Sequence, residues 1–378
     1  MANETMTGWE RFWAALSLQE KPDRVPVAPK IVGTVATFQG ISQGEANRKQ
    51  LFQDAFVKTF KDFGGWDAQC DYFTRTDYQH WLITMDPVRI LVPGFDRPDD
   101  NMIMVEECEF MNYEDYDRII EEGYKKFWYD DLIFRVTGWK PEDVPKNTEF
   151  LWKNLTKEAE VWQQELGLEA AYGGVIQTPF FLLSLGRSLI RFTEDLYYKP
   201  EKVEKAIQRM TDDFTVDLLN SVKQSGKKSV LIIEERAGAA LYPLRIFERF
   251  FWQYTKKMVD TLWSEGIVSV FHVDTDWGKN IPYFKELPKG SFCLQLDSTT
   301  DMIAARKTLG NHGSLWGDIP ATLMSLGSSQ EVRDYCKRLV KEVGYDGGFI
   351  LGTGCDLPID CKPENFRTML EVAKESFY

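Results

Sequence analysis

Two side chains that bind metals well, His272 and Cys355, each stand where an apolar run gives way to a polar turn. His272 lies in Ser269-Val-Phe-His-Val-Asp274, and Cys355 lies in Leu351-Gly-Thr-Gly-Cys-Asp-Leu-Pro358. About eighty residues separate them, and strand and helix patterns alternate in between. In a parallel barrel both residues would therefore open onto the same rim. Of the three histidines, only His272 follows such a strand.

Polar residues also end the neighbouring predicted strands. The set comprises Glu234, Glu235, Asp274, Asp276, Gln295, Asp297, Asp318 and Asp356. The carboxyl ends of the strands form the catalytic face of a parallel barrel, so this coincidence across several strands indicates an active site. Asp in such a turn can also cap the next helix, and that alternative stays open for Asp297 and Asp356.

Zinc is the metal that this combination of side chains favours. It takes nitrogen, sulfur and carboxylate ligands, and catalytic sites use three of them and leave one position open. We therefore predict a zinc site of His272, Cys355 and a carboxylate from Glu234, Glu235 or Asp274. The alternatives are a structural histidine, a thiol that packs as a small hydrophobe, and glutamates paired with neighbouring arginines.

The elements that must position these residues repeat along the second half of the chain. The predicted strands are 170–175, 229–233, 268–273, 292–296, 314–317 and 348–351. The predicted helices between and after them are 180–192, 199–224, 244–265, 279–287, 300–308, 329–343 and one that starts at Pro363. Because Gly-rich dinucleotide and phosphate-loop fingerprints are absent, we predict an α/β fold closed into a (β/α)₈ TIM-type barrel.

The first 112 residues are predicted to extend this barrel within one domain, 1–378. Apolar residues at helical spacing over 7–17 predict a helical cap, which the sequence 21–26 ends. Two strand-like runs, 89–92 and 102–105, flank a turn-rich stretch and predict a β-hairpin. Further helices are expected near 113–124 and 155–166.

Composition excludes several classes of function. The net charge of −13 disfavours nucleic acid, and no apolar stretch approaches the roughly 20 residues that span a bilayer. Residues 1–20 lack the pattern of a signal peptide, so a cytoplasmic location is expected. The six cysteines show no regular spacing, which favours free thiols. The 14% of aromatic residues predict either extra core packing or an aromatic-lined pocket.

The chain contains several short motifs: Gln19–Pro26, Ala237-Gly238 with Leu241-Tyr-Pro243, Phe271–Asp274, Gly317–Pro320, and Gly352–Pro358 with Pro363–Phe366. In their order and spacing these motifs resemble the uroporphyrinogen decarboxylase superfamily, and its corrinoid-dependent methyltransferase branch in particular. The resemblance is good from about 229 to the end, thin over 20–30 and weak between. It implies zinc held by a His-x-Cys pair on one strand and a Cys near the carboxyl terminus. His272 and Cys355 match the first and last of these positions, and Glu234 or Glu235 matches an acidic strand end.

Asp274 departs from this pattern, since it stands where the thiol-activating members carry the first Cys. A sulfur-rich shell leaves a bound thiolate electron-rich, whereas an oxygen- and nitrogen-bearing shell leaves zinc a stronger Lewis acid. The oxygen- and nitrogen-bearing shell therefore suits a substrate that binds zinc through an oxygen atom. The resemblance and this departure together predict a methyltransferase that moves a methyl group from an O-methyl donor, an aryl methyl ether, to the cobalt of a separate corrinoid protein.

Asp274 and Glu235 are the predicted catalytic residues, Asp274 as a ligand or as an acid that protonates the departing oxygen. The residues predicted to contact the substrate are Tyr172, Gln177, Trp316 and Asp318. The corrinoid (cobalamin) is expected on a partner protein, because no Asp-x-His-x-x-Gly signature surrounds His272 or His312.

Two alternative reactions stay open. The first is methyl transfer in the other direction, from a methyl-corrinoid to a thiol such as coenzyme M, for which the first Cys ligand is missing. The second is porphyrinogen decarboxylation, which requires several cations for the substrate carboxylates. After the first predicted strand, Lys30 is the only nearby cation.

Overall fold

The computed structural model describes residues 4–71 and 78–378. Two short strands, β1 (Arg89–Leu91) and β2 (Met104–Glu106), pair antiparallel. Six parallel strands form one sheet in chain order. They are β3 (Val175–Gln177), β4 (Ser229–Glu234), β5 (Val268–Val273), β6 (Phe292–Leu296), β7 (Ser314–Ile319) and β8 (Phe349–Thr353).

A short extended segment near the amino terminus joins the far edge of this sheet. Val27 forms a parallel bridge with Leu351 of β8. The backbone N–H of Ala28 donates to the Leu351 carbonyl at 2.9 Å, and the Leu351 N–H donates to the Pro26 carbonyl at 2.9 Å. This segment therefore takes the place of the first strand of the barrel, although it is shorter than a regular strand.

A second segment closes the remaining gap. The N–H of Asp67 donates to the Val27 carbonyl at 2.8 Å. Gln69 forms a parallel bridge with Ala170, just before β3. Eight parallel segments thus follow one another around a closed ring, and the predicted (β/α)₈ barrel is confirmed.

Helices surround the ring and connect its strands. The α-helices are Gly8–Ser17, Thr34–Phe38, Gln43–Lys49, Phe52–Phe63, His80–Thr84, Asp115–Glu122, Tyr124–Phe127, Ile133–Thr137, Asp143–Leu166, Pro179–Gly186, Leu189–Tyr198, Pro200–Ser225, Leu244–Phe247, Gln253–Ser264, Met302–Leu309, Ala321–Leu326, Ser329–Glu342 and Pro363–Glu375. Trp128–Leu132 and Glu248–Trp252 are π-helical turns, and Ile281–Glu286 is a 3₁₀ helix. No helix in the described part of the chain is both long and apolar enough to span a membrane.

The observed helices and strands differ from the predicted ones at several places in the chain. The predicted strand 170–175 is irregular, because it forms a bridge at Ala170 and the regular strand begins only at Val175. The helix predicted over 180–192 is two helices, because the chain turns at Ser188 with a φ of +65°. Four helices within 34–63 and 321–326 were not predicted; three of them have only five to seven residues, whereas Phe52–Phe63 carries apolar residues at helical spacing that the sequence analysis overlooked.

The helix Gly8–Ser17 closes the amino-terminal end of the barrel. Its first turn carries a capping box, in which the Thr7 side chain and Glu10 satisfy each other's backbone N–H groups. Phe12 reaches into the barrel, where its ring meets Trp316 of β7 edge-on at 5.3 Å. The predicted cap is thus the floor of the barrel, on the side opposite the predicted site.

A buried charge network ties this floor to the second segment of the ring. Asp67 pairs with Arg11 at 2.6 Å and with Arg24 at 2.9 Å, and it accepts the Val27 N–H at 2.8 Å. All three charged side chains are buried. Without Asp67, Arg24 keeps the half-exposed Glu4 and Arg11 keeps Asp23, but both buried guanidinium groups lose an ion pair and the buried Val27 N–H loses its acceptor.

Asp67→Ala should therefore lower the free energy of unfolding by about 3–5 kcal/mol in chemical denaturation. Asp99→Ala is the control, because it breaks an ion pair with Arg48 in which both side chains are half exposed, and it should cost far less. Equal losses in the two variants would contradict the assigned role of Asp67.

Candidate metal centre

His272 lies on β5 in a layer of side chains that points into the barrel. Its register neighbours in that layer are Ile233 on β4 and Gln295 on β6. The amide oxygen of Gln295 lies 2.9 Å from His272 Nδ1, so Nδ1 carries the proton and Nε2 is left as a ligand atom. Burial lowers the pKa of His272, and Lys30 adds to this effect, which keeps the ring neutral as metal binding requires.

Cys355 and Asp274 meet His272 at the rim. The thiol of Cys355 lies 3.8 Å from His272 Nε2 and 3.7 Å from Asp274 Oδ2. Asp274 Oδ1 lies 3.6 Å from His272 Nε2 and has no hydrogen-bond partner. One ligand atom from each residue lies within 4.8 Å of the other two. Metal–ligand bonds of roughly 2.0–2.3 Å in a tetrahedron give edges of about 3.3–3.8 Å, so these three residues fit zinc.

Two close backbone approaches bring Cys355 to this position. A Cβ on Gly354 would lie 2.9 Å from the Asp297 Cα, and one on Gly352 would lie 2.7 Å from the Ala28 carbonyl. Both glycines allow the end of β8 to pass close to its neighbours before the chain turns at Cys355. The Gly-Thr-Gly-Cys sequence is therefore the local signal that places the thiol.

Lys30 and two carboxylates form a charged wall next to Cys355. Lys30 pairs with Asp356 at 3.1 Å, and Asp71 Oδ2 accepts the Ile31 N–H at 3.1 Å. Burial opposes the charge on Lys30, but Asp356, Cys355 and Asp71 together raise its pKa well above the usual value. Burial raises the pKa of Asp71 to about 7, although Lys30 opposes this. Sequence reasoning did not assign Lys30 and Asp71 to the site, although each ends one of the short segments that complete the ring.

Glu235 is another carboxylic acid at the carboxyl rim of the barrel. Burial raises its pKa to about 8, and the charge of Asp274 adds to the rise. The residue does not belong to the three-residue ligand group. Burial and the charge of Asp274 thus favour the protonated form of Glu235 beside the group that could hold a metal.

Glu234 faces away from this group. It pairs in register with Val273, one residue beyond His272, so its side chain points to the outer face of the sheet. There it accepts the Thr178 hydroxyl and the backbone N–H groups of Arg236 and Ala237 at 2.7 and 2.8 Å. The prediction that Glu234 is a metal ligand does not fit this geometry, because its carboxylate is used to shape the β4 turn.

A cavity of about 150 Å³ opens above His272. Its polar lining includes Lys30, Asp71, His80 and Asp356, and its walls are mainly aliphatic, with Ile83, Ile90, Met102, Leu231 and Ile233 among them. No Phe, Tyr or Trp of the described residues lines it. Many described aromatic residues of the amino-terminal half pack in the core instead, which agrees with the packing interpretation.

Three of the four predicted substrate contacts lie away from this cavity. Trp316 donates its indole N–H to the Ala28 carbonyl at 2.9 Å, and its ring packs against Tyr172 at 6.2 Å in the barrel interior. Asp318 accepts the Tyr335 hydroxyl at 2.9 Å, so it faces an outer helix. These three residues support the barrel and are not placed to bind a ligand beside His272.

Gln177 is placed differently, since its register pairing with Ile233, which pairs with His272, turns its side chain to the same inner face of the sheet. Its amide donates to Asp86 at 2.6 Å, and the same carboxylate oxygen lies 3.1 Å from His80 Nε2. Sequence reasoning missed His80 and Asp86, because His80 begins a five-residue helix too short to show a period and Asp86 lies in the irregular chain just after it.

Fold and site together define a parallel α/β barrel with a metal-binding group at its carboxyl rim. The family profile described as "Uroporphyrinogen decarboxylase (URO-D)" matches residues 139–376. The chain therefore belongs to the uroporphyrinogen decarboxylase family, as the motifs indicated.

Several relatives share part of the sequence. The chain is 26% identical over 183 residues to the uroporphyrinogen decarboxylase of Hahella chejuensis, covering 47% of this chain and 49% of the relative. It is 21% identical over 178 residues to the methylcobamide:CoM methyltransferase MtbA of Methanosarcina acetivorans, covering 47% and 51%. The chain thus spans about half the length of the curated relatives it matches.

A solved structure matches the whole fold. A methyltransferase from Methanosarcina mazei superposes with a TM-score of 0.69 at 15% identity, covering 98% of this chain and 99% of that protein. At this identity the likeness establishes the common barrel.

His272→Ala, Asp274→Ala and Cys355→Ala should each reduce bound zinc from about one per chain to near zero, measured by elemental analysis after dialysis. His312→Gln and Cys336→Ala remove the same types of side chain away from the rim and should keep the zinc. Retention of zinc by all three rim variants would exclude this site.

Asp318 should control part of the pH dependence of stability. Burial raises its pKa to about 6, above the roughly 3.9 of an unfolded Asp. The folded state therefore binds this proton more tightly, and the stability it contributes is complete below about pH 4 and is lost as pH rises through about 6.

Asp318→Asn should flatten the fall in unfolding free energy between about pH 4 and 6, by at most about 1.4 kcal/mol per pH unit. Tyr335→Phe should extend the fall to higher pH, because the Tyr335 hydroxyl stabilises the charged carboxylate. Identical pH profiles for all three proteins would refute this assignment.

Proposed function

We propose that the protein is a methyltransferase that moves the methyl group of an O-methyl donor, an aryl methyl ether, to the cobalt of a separate corrinoid protein. The observation that carries the proposal is the mixed nitrogen, oxygen and sulfur donor set of His272, Asp274 and Cys355, which faces a cavity lined with aliphatic side chains. Family membership and the relative named as a methylcobamide:CoM methyltransferase support corrinoid-dependent methyl transfer.

The three ligand residues leave a fourth tetrahedral position for a substrate. Zinc held there would act as a Lewis acid on an ether oxygen, since two of its three ligands would be an imidazole and a carboxylate. Asp274 determines whether the bound zinc is a strong Lewis acid, because a Cys at position 274 would make the set of ligands rich in sulfur.

Glu235 would supply the proton that the reaction consumes. When the methyl carbon passes to cobalt, the C–O bond breaks and its electron pair stays on the oxygen, which then needs a proton. Glu235 carries one near neutral pH because its pKa is raised to about 8, and it lies close enough to Asp274 to feel that charge. Lys30 and Asp356 form the wall on the other side of Cys355.

The cavity supports an apolar donor of modest size. A volume on the order of 150 Å³ lined by aliphatic side chains can hold one benzene ring. Ile233 and Leu231 line the space, so the ring of a methoxyarene would lie against their side chains.

Methyl transfer from a methyl-corrinoid to a thiol is the second candidate, because the relative from Methanosarcina acetivorans is named for that reaction. Asp274 favours the ether donor, since the oxygen ligand weakens thiolate activation. Several relatives are named as porphyrinogen decarboxylases. That substrate needs several cations for its carboxylates, and the described lining offers Lys30, which already pairs with Asp356.

The zinc-loaded protein, mixed with a reduced corrinoid protein and a panel of methoxyarenes, should form methylcobalt, followed by its absorbance. Glu235→Gln should slow this step by about a hundredfold and keep the zinc, because the general acid is lost while the ligands remain. Glu265→Gln, an exposed substitution on the outside of the barrel, is the control.

Asp274→Cys tests the direction of transfer. We expect it to retain zinc, to lose ether cleavage and to gain methylation of coenzyme M from methylcobalamin. The proposal fails if the wild-type protein methylates thiols efficiently and leaves every methoxyarene intact beside an active cobalt(I) partner.

A further inference from the structure

Thr275, the residue after the predicted ligand Asp274, has a strained backbone. Its φ is +69°, in the left-handed region that a β-branched residue rarely adopts. Such a conformation persists only where the surrounding structure holds it, and it is typical of functional sites. The contacts that hold Thr275 therefore also fix the place of Asp274 at the rim of the barrel.

Two side chains of the turn that follows β6 supply these contacts. Asp297 accepts the Thr275 N–H at 3.1 Å. The Thr300 hydroxyl donates to the Thr275 carbonyl at 3.0 Å and accepts the Trp277 N–H at 2.9 Å. The buried indole of Trp277 in turn donates to the Asp274 carbonyl at 2.8 Å. Both polar backbone groups of the strained residue are thus bonded to one turn.

The same turn lies against the chain beside Cys355. A Cβ on Gly354 would lie 2.9 Å from the Asp297 Cα, so the two backbones are in direct contact. The remaining ligand residue, His272, is oriented by Gln295 of β6 itself, at 2.9 Å. Strand β6 and its turn supply none of the three ligand residues, yet they contact one of them and the direct neighbours of the other two.

Asp297 is not the cap of the next helix, although Asp in a strand-to-helix turn commonly takes that part. The helix Met302–Leu309 is capped by Asp301. The carboxylate of Asp297 instead accepts the N–H groups of Thr275 at 3.1 Å and of Thr299 at 3.0 Å. The capping alternative therefore does not hold for Asp297, whose two oxygens join its own turn to the loop after β5.

We propose that Asp297 is a positioning residue of the metal centre, which acts through Thr275 to hold the Asp274 carboxylate within reach of the other two ligands. Thr300 supports it from the carbonyl side of the same residue. The inference rests on the zinc site of the proposed function, but not on the methyl donor or on the direction of transfer. It makes zinc affinity depend on a turn that contains none of the three ligands.

Zinc affinity, measured by competition with a chelator in the absence of donor and corrinoid, tests the inference. Asp297→Ala should weaken zinc binding about 10- to 100-fold, the usual effect of removing a group that orients a ligand. Asp297→Asn, which keeps one acceptor oxygen, should lie between this variant and the wild type. Thr300→Val should also weaken binding, whereas Thr300→Ser keeps the hydroxyl and should bind zinc nearly as tightly as the wild type.

Asp301→Ala is the matched control. It removes a carboxylate four residues further along the chain, which accepts the Ala304 N–H at 2.9 Å as a helix cap. The variant should unfold at lower denaturant concentration without its zinc, yet bind zinc as tightly as the wild type. All affinities are compared under conditions in which the zinc-free variants are folded.

The strain at Thr275 gives a readout that a general loss of stability would not produce. Gly adopts a positive φ without steric cost, so a glycine at this position needs less support from Asp297. Thr275→Gly in the Asp297→Ala background should therefore recover part of the lost zinc affinity.

The inference is overturned if Asp297→Ala binds zinc as tightly as the wild type, if Asp301→Ala weakens binding equally, or if Thr275→Gly recovers none of the loss. Wild-type protein that binds no zinc would overturn it together with the proposed function. Zinc binding that depends on Asp297, in a protein that demethylates no ether, would refute the proposed function and leave the positioning role. Ether cleavage by a protein whose zinc affinity does not depend on Asp297 would do the reverse.

Discussion

The backbone hydrogen bonds between residues 26–28 and β8 are the constraint on which the site depends. They close the ring at Ala28 and Leu351, and the chain continues two residues further to Lys30. The Lys30 carbonyl then accepts the Leu357 N–H at 2.8 Å, and its ammonium pairs with Asp356. The loop that carries Cys355 is thereby held from both sides, and a barrel left open here would have no defined ligand group.

Charge and burial divide the rim into parts with different chemistry. Asp356 pairs with Lys30, whereas burial raises the pKa of Glu235 to about 8 and that of Asp71 to about 7. The carboxyl rim of the barrel therefore carries both atoms that could bind a metal and groups that could donate a proton. Environment, more than residue type, assigns the role of each acid.

The sequence predicted the parts of this site that follow long, regular strands. His272, Asp274 and Cys355 could be found because β5 and β8 are clear apolar runs that end in polar turns. Glu234 was misplaced, since alternation along β4 turns it outward and its neighbour inward, a one-residue difference that a short run does not fix. Lys30, Asp71, His80 and Asp86 come from segments too short or irregular for a period, so their proximity arises only from barrel closure.

The separation of the ligand residues along the chain also determines when the metal site can form during folding. His272 and Cys355 are 83 positions apart and belong to strands separated by β6 and β7. A contact of such sequence separation forms only after the intervening βα units have packed, so a partly folded chain has no tetrahedral site to offer. A metal that binds only the native arrangement then adds to its stability by mass action, which couples metal supply to the lifetime of the folded protein.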